Sequence, residues 1–467
     1  MIFSSLIFVY GFLPVSLILY YITSEGKRNY TLLALSLIFC TMSGLGFLLF
    51  IFSYTIINYV FGRLCGMLRR FKFVSGAFSA VAITVNIFIL LLFRENIFDA
   101  FLEKYELLEY RNFVVPIGIS FMTLSAIGYQ IDICCGRIKA ERNFLKFALY
   151  MVFFPKLIIG PLVGYSGFSR MIENRRTDLY EVGKGLKRFV IGLAKKVIFA
   201  DNIYMLFSAV KLIDVENLSS LSAWMGIFAY CFCIYFTLSG FSDMSVGIAR
   251  CFGLRLPSEF KYPILSSSIG KFCSRWQITV VKWFNRYAVK PLTRKFKYKI
   301  FRYVLIIAVW GIIGIWYDMR LNMFVWGLLI GIAASSEGLV KNRKMPGATS
   351  VIYTFSLLSI LSVFFFGDDL TYSMNYYFAL IGGNGSLADS VSLYLLKSYV
   401  VILLVCAYSS TDMFRNLIER SKKKFIQKAA DFISPAVIIG ILVMCTAEMS
   451  YSGVSYMMLP ILREVSM

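Results

Sequence analysis

Histidine is absent from this chain: none occurs among 467 residues. That excludes imidazole acid–base chemistry, histidine metal ligation and any histidine-based pH switch. Acidic residues are scarce, with 26 Asp and Glu against 48 Lys and Arg, for a formal net charge of +22. The ten cysteines (Cys40, Cys65, Cys134, Cys135, Cys231, Cys233, Cys251, Cys273, Cys406 and Cys445) show no regular framework and mostly fall within or beside apolar runs. Most read as small buried hydrophobes. Cys65, in Gly62-Arg-Leu-Cys65-Gly-Met-Leu-Arg69-Arg70, reads either as a packed thiol or as a juxtamembrane lipidation site. No stretch is long and polar enough to form a soluble domain.

What the chain does contain is hydrocarbon. It is 58% hydrophobic with a mean hydropathy of +0.72, and apolar runs of about 18 to 22 residues recur throughout, as bilayer spans require. Backbone in lipid must satisfy its own hydrogen bonds, and the runs lack the alternation of barrel strands, so the fold class is an all-α polytopic membrane protein. Spans are expected at about 2–22, 30–42, 46–62, 73–93, 114–133, 189–212, 221–241, 303–318, 323–340, 349–367, 392–411 and 432–450. Ten or eleven of these are taken as full spans, with one or two re-entrant or interfacial segments besides. Residues 147–166, broken by Pro155 and Gly160-Pro161, read as re-entrant half-helices, because Pro and Gly leave backbone groups that need protein or water as partners.

Charge sets the orientation. Arg63, Arg69, Arg70 and Lys72, then Arg137, Lys139, Arg142 and Lys146, then Lys341, Arg343 and Lys344, and finally Arg415, Arg420 and Lys422 to Lys424 fall on one side, which the positive-inside bias makes cytoplasmic. The acidic loop with Glu95, Asp99, Glu103, Glu106 and Glu109 falls outside, as do Asp368 and Asp369. This pattern accounts for the net charge without nucleic acid as a partner. From Lys271 to Arg302 there are ten basic residues and no acidic one. With Trp276, Trp283, Tyr287 and Tyr298, the run reads as a cytoplasmic amphipathic segment in contact with membrane lipids. Asp243 and Arg250, seven apart, are expected to share a helix face and pair, whereas Asp132, Asp201, Lys195 and Lys196 are expected to be solvated or interfacial at span ends.

Several stretches carry more than composition. Val115-Pro116-Ile-Gly118-Ile-Ser120-Phe, Phe154-Pro155-Lys-Leu-Ile-Ile-Gly160-Pro161, Gly192-Leu-Ala-Lys195-Lys196-Val-Ile-Phe-Ala-Asp201-Asn202, Tyr235-Phe-Thr-Leu-Ser239-Gly240-Phe-Ser242-Asp243 and Gly253-Leu-Arg255-Leu-Pro257 occur in that order. They precede Arg275-Trp276-Gln277, Trp316-Tyr317-Asp318 and Trp326-Gly327-Leu-Leu-Ile330-Gly331. The combined pattern resembles membrane-bound O-acyltransferases of the bacterial branch that includes alginate O-acetylases and, more distantly, teichoic acid D-alanyl transferases. The resemblance extends from Phe3 to about Gly382. It implies a single membrane-embedded domain over 1–467, most motif-rich at about 114–341, located in the cytoplasmic membrane of a bacterium.

The resemblance further implies an acyl group, acetyl above all, carried from a cytoplasmic thioester such as acetyl-CoA or an acyl carrier. The acceptor is the hydroxyl of an exported polysaccharide or of an extracytoplasmic relay or esterase-like protein, and neither a bound cofactor nor a metal is expected. In the family a histidine acts as general base in Trp-Gly-x-x-His-Gly, and further histidines stand in Arg-Trp-His and Trp-His-Gly. Here Ile330, Gln277 and Tyr317 occupy those three positions. General-base assistance contributes about 100- to 10,000-fold, so activity is expected to be lost or strongly reduced. Asp318, beside the second motif, and Glu337, two helical turns beyond Ile330, are the possible substitute bases. The tunnel or donor region is expected to include Arg275, Trp276, Trp283, Trp316, Trp326 and Asp243, and packing beside Gly327 and Gly331 is a sufficient alternative reason for isoleucine at 330. The alternative function is a non-catalytic scaffold or a lipid-, donor- or glycan-binding component of a polysaccharide export assembly. A transporter with broken helices is a weaker reading, since no repeat is visible.

Overall fold

A computed structural model describes residues 2–42, 44–94, 118–175, 177–294, 298–339, 347–412 and 424–452. The acidic loop, the Val115-Pro116 motif start, Lys341 to Lys344 and Arg415 to Lys423 lie outside these. Among the described residues every regular element is helical. Among the described residues seven helices are long and apolar enough to cross a membrane: Gly46–Arg70, Lys72–Phe93, Ser220–Cys251, Ile300–Tyr317, Gly347–Phe366, Ser390–Ser409 and Ile433–Tyr451. Ile7–Ile22, Ile119–Cys134 and Leu321–Glu337 are shorter apolar helices.

The described residues form two compact units, one of those up to 189 together with 241–257, the other of 190–240 and those from 258 to 452. In the first, Tyr20 and Tyr21 each donate a hydrogen bond of 2.8 Å to the carbonyls of Phe252 and Cys251, satisfying acceptors that the helix end at Cys251 leaves open. The broken stretch at 147–166 is two short helices, Phe144–Val152 and Phe154–Leu157, followed by non-helical chain as far as the helix Tyr165–Glu173. Pro155 lies in the first turn of the second helix, where its missing N–H costs nothing. Cys65 is buried with its thiol 3.2 Å from Ser75 Oγ, which matches the packed reading.

Three expectations, two about charge and one about a segment boundary, are corrected in the structure. Asp132, Asp201 and Lys196 are buried rather than solvated: Arg137 Nη1 donates to Asp132 at 2.9 Å, and Lys196 is ion-paired with Asp201. Asp243 and Arg250 do not pair with each other. The helix Leu179–Ala194 supplies nearer partners, Arg188 for Asp243 and Glu181 for Arg250. Finally, the segment expected at 189–212 begins ten residues earlier, running from Leu179 through a π-helical turn at Lys195–Ala200 to Lys211.

In the second unit the basic segment is a chain of short helices, Ile269–Arg275, Ile278–Phe284 and Lys290–Thr293, with a π-helical stretch between the last two. Val280 and Phe284, four apart, are buried, whereas Lys282, Arg286 and Lys290 are exposed. That is the amphipathic division read from the sequence. Beyond it, Lys299–Tyr317 and Leu321–Leu339 form a tight helical hairpin. A Cβ at Gly314 would stand 2.0 Å from the Met323 carbonyl oxygen, and one at Gly327 2.2 Å from that of Trp310. Only glycine permits this approach, which is the small-residue packing that drives helices together in lipid.

Candidate functional site

The hairpin brings part of the expected site together. Gln277 precedes the helix Ile278–Phe284 with φ 39° and ψ 58°, and its side chain is buried. This left-handed conformation is uncommon for residues with a side chain, and Asn, Asp and His are the enriched exceptions. The backbone at 277 thus keeps a shape that histidine adopts readily. Tyr317 ends its helix facing this residue, and its hydroxyl donates to Gln277 Oε1 at 2.6 Å. The other end of the amide, Nε2, is buried without a hydrogen-bond partner.

Aromatic rings continue from this pair. Tyr317 contacts Trp316 at 5.3 Å and Trp326 at 5.8 Å between ring centroids, the latter edge-on, and Trp326 contacts Phe365 at 4.6 Å. Trp276 packs against Phe272, 5.3 Å away, and Phe260, 5.1 Å away. Trp276, Trp326, Phe272 and Phe365 share the wall of a cavity of about 70 Å³ with Tyr235. Ile330 lies four residues beyond Trp326 on the same helix and is 1% exposed. Residues four apart share a helix face, so a hydrocarbon side chain occupies the turn next to the aromatic wall.

The other expected residues are engaged elsewhere. Asp318 is ion-paired with Arg320, which also donates to the carbonyls of Gly367 at 2.8 Å and Phe365 at 3.0 Å. Glu337 accepts from the backbone N–H groups of Ile269 at 2.9 Å and Gly270 at 3.2 Å, capping the short helix that leads to Trp276. Arg275 Nη1 donates to the Leu265 carbonyl at 3.3 Å. Trp283 packs on Phe284 and Tyr287, with its indole N–H buried and without a partner. Asp243 belongs to the first unit, where one carboxylate oxygen accepts from Arg188 Nε at 2.9 Å and Nη2 at 2.8 Å.

Sequence reasoning missed Glu259. It is buried; its carbonyl accepts from Ile278 N at 3.0 Å and its carboxylate from Thr279 N at 2.8 Å and from the Thr279 hydroxyl. It thereby fixes the chain immediately after Gln277. The available signal was its isolation, since no other Asp or Glu occurs between Arg255 and Asp318. The apolar cavity, by contrast, had no signal, because its wall comes from five separate helices. Among the described residues no group of three or more His, Cys, Asp or Glu stands where a metal ion could be held.

The profile of the membrane-bound O-acyltransferase family matches residues 138–366. A protein of Pseudomonas syringae pv. tomato named as a probable alginate O-acetylase is 30% identical over 89% of this chain and 82% of its own. The chain belongs to the membrane-bound O-acyltransferase family. A Pseudomonas putida protein of the same printed name is 29% identical over 92% of both chains, and a Helicobacter pylori peptidoglycan O-acetyltransferase is 28% identical over 82% of this chain and 80% of its own. With seven apolar helices and these bacterial relatives, this O-acyltransferase-family member is a multi-pass protein of the bacterial inner membrane.

The chemistry available at the O-acyltransferase motif positions is limited. The Gln277 amide does not take up a proton at any relevant pH, Tyr317 directs its own proton at that amide, and Ile330 has no lone pair. In the first unit the chemistry is the reverse. Glu181 receives Arg250 Nε at 2.8 Å and Arg255 Nη2 at 2.9 Å. Hydrogen bonding from Arg250 is the main cause holding its carboxyl below the usual glutamate value, against an opposing contribution from burial.

Proposed function

We propose that this protein retains the scaffold for O-acyl transfer onto cell-surface polysaccharide and has lost, or strongly reduced, the transfer itself. The observation that carries this reading is the neutral Gln277–Tyr317 hydrogen bond, together with the burial of Ile330, at the three positions where the family resemblance puts histidines. The relatives named as alginate and peptidoglycan O-acetyltransferases support a glycan acceptor and an acetyl group; the donor in this reading is acetyl-CoA or an acyl carrier. In this reading Arg275, Trp276, Trp283, Trp316 and Trp326 belong to the donor region or its supports, whereas Asp243 serves the first unit by holding Arg188. The partners are membrane lipids, exported polysaccharide and an extracytoplasmic relay or esterase-like protein. Asp318 and Glu337 do not serve as bases, because Arg320 and two backbone amides already occupy their carboxylates.

The test is direct. Purified protein in liposomes, given acetyl-CoA and a glycan acceptor, is expected to acetylate at the rate of protein-free liposomes; turnover well above that overturns the reading. A second reading, a non-catalytic component of a polysaccharide export assembly that binds donor, lipid or glycan, is favoured by the aromatic cavity, which persists beside the altered positions.

A further inference from the structure

Three of the ten cysteines gather at one place in the first unit. Cys65 lies in the last turn of the helix Leu45–Met67 and is buried, Cys134 is the final residue of the helix Ile119–Cys134 and is half-buried, and Cys135, just past it, is exposed. Glycine brings the two helices together here. A Cβ at Gly62 would stand 2.6 Å from the Tyr129 ring and 3.3 Å from Ile133, and one at Gly66 would stand 2.6 Å from Ala140 Cβ, the close approach that small residues permit. Between these contacts the Cys134 thiol is a side-chain hydrogen-bond neighbour of Cys65, and Cys135 is near enough to act on it electrostatically. Both helices run into basic chain, Arg69-Arg70 and Arg137 with Lys139, on the side that the positive-inside bias makes cytoplasmic. Packing accounts for a buried thiol at 65. A second thiol that meets it from another helix, with one edge open to water, has the makings of a redox pair.

We propose that Cys134 and Cys65 are a peroxide-responsive dithiol that closes into a disulfide between these two helices. The Cys134 sulfur attacks one oxygen of hydrogen peroxide, the O–O bond breaks, and a sulfenic acid forms while the departing hydroxide leaves as water with the thiol proton. The Cys65 sulfur then attacks the sulfenic sulfur; the S–O bond breaks, an S–S bond forms and a second water leaves with the Cys65 proton. Two thiols together lose two electrons, and the peroxide is reduced to two waters. Access sets the order of attack, because Cys65 is 0% exposed and Cys134 is only half-buried. Cys135 is not the resolving partner: consecutive Cα atoms stand about 3.8 Å apart, short of the roughly 4.4–6.8 Å that an unstrained disulfide takes. In a cytoplasm that keeps thiols reduced, such a bond is a transient, oxidant-dependent modification rather than a permanent staple. It lies in the first unit and is independent of acyl transfer.

The experiment treats the full-length protein in nanodiscs with hydrogen peroxide, quenches it in acid, unfolds and alkylates it, and maps the cysteine peptides by mass spectrometry. The expected result is a cross-linked peptide joining Cys65 to Cys134, with two of the ten thiols lost to alkylation and both recovered after dithiothreitol. Cys135→Ser should keep the cross-link. Cys65→Ser should replace it with a Cys134 sulfenic acid that dimedone traps, a readout that loss of packing alone would not produce. A disulfide joining Cys134 to Cys135, further oxidation of Cys134 while Cys65 stays reduced in the parent protein, or a reduced Cys134 under conditions that oxidise the exposed Cys135 would each overturn the proposal.

Discussion

Two polar clusters in this molecule have opposite chemistry. In the first unit Glu181 holds Arg250 and Arg255, and Asp243 holds Arg188, so carboxylates and guanidinium groups are matched and charged. In the second unit Tyr317 and Gln277 share one neutral hydrogen bond that leaves the amide Nε2 unmatched, and Ile330 is buried hydrocarbon. The first arrangement stabilises a fold in which basic residues outnumber acidic ones almost two to one. The second fills space and orients backbone but offers no proton acceptor. The contrast is local: carboxylates and guanidinium groups are matched in the first cluster, and the second is held by a neutral hydrogen bond.

The largest expected effect breaks the charged side of this comparison. Glu181→Ala leaves two guanidinium groups without their carboxylate and should cost about 2–4 kcal/mol in detergent-solubilised protein. That is below the full cost of breaking a deeply buried pair because Arg255 is more than half exposed. The same cluster gives a pH signature. Because the folded Glu181 carboxyl lies below its ordinary value of 4.5, its contribution is present above that value and is lost as pH falls through the lowered one. Thermal melts between pH 3 and 7 should show a shallower acid limb for Glu181→Gln than for the parent; identical limbs would remove Glu181 from the account.

A smaller effect tests the neutral side. Tyr317→Phe leaves the Gln277 amide unmatched at both ends and should destabilise by about 1–2 kcal/mol. Adding Gln277→Leu should recover part of that loss, and a double-mutant cycle measures the coupling. Smallest of all, Glu337→Gln should cost about 1 kcal/mol as a weakened helix cap, and neither it nor Asp318→Asn should change acyl transfer from background. If the parent transfers above background, loss of that transfer in either variant would make that carboxylate the base and collapse the contrast.

Much of this was legible in the sequence. The apolar runs and the alternation of basic segments mark a polytopic helical protein, and the Trp and Gly frame from Trp276 to Gly331 marks the hairpin, because close helix contact in lipid demands glycine at fixed spacing. The ion pairs were not legible. A seven-residue spacing puts Asp243 and Arg250 on one face, but which cation reaches a carboxylate depends on the helix packed opposite, here Leu179–Ala194. Burial of Lys196 and Asp201 was hidden for the same reason: a charge at a helix end looks solvated until its partner is placed. For Glu259 the sequence carries a single signal, its isolation in a basic stretch, and the backbone it fixes is set only by the folded chain.

The central claim, a retained scaffold without its proton acceptor, is tested most directly by acetyl transfer from acetyl-CoA to a glycan acceptor in liposomes. The parent protein is compared with a variant carrying Ile330→His and Gln277→His together. The left-handed backbone at 277 favours the second substitution. The account predicts background transfer for the parent and transfer above background for the variant. Robust transfer by the parent, with no histidine in the chain, would contradict it.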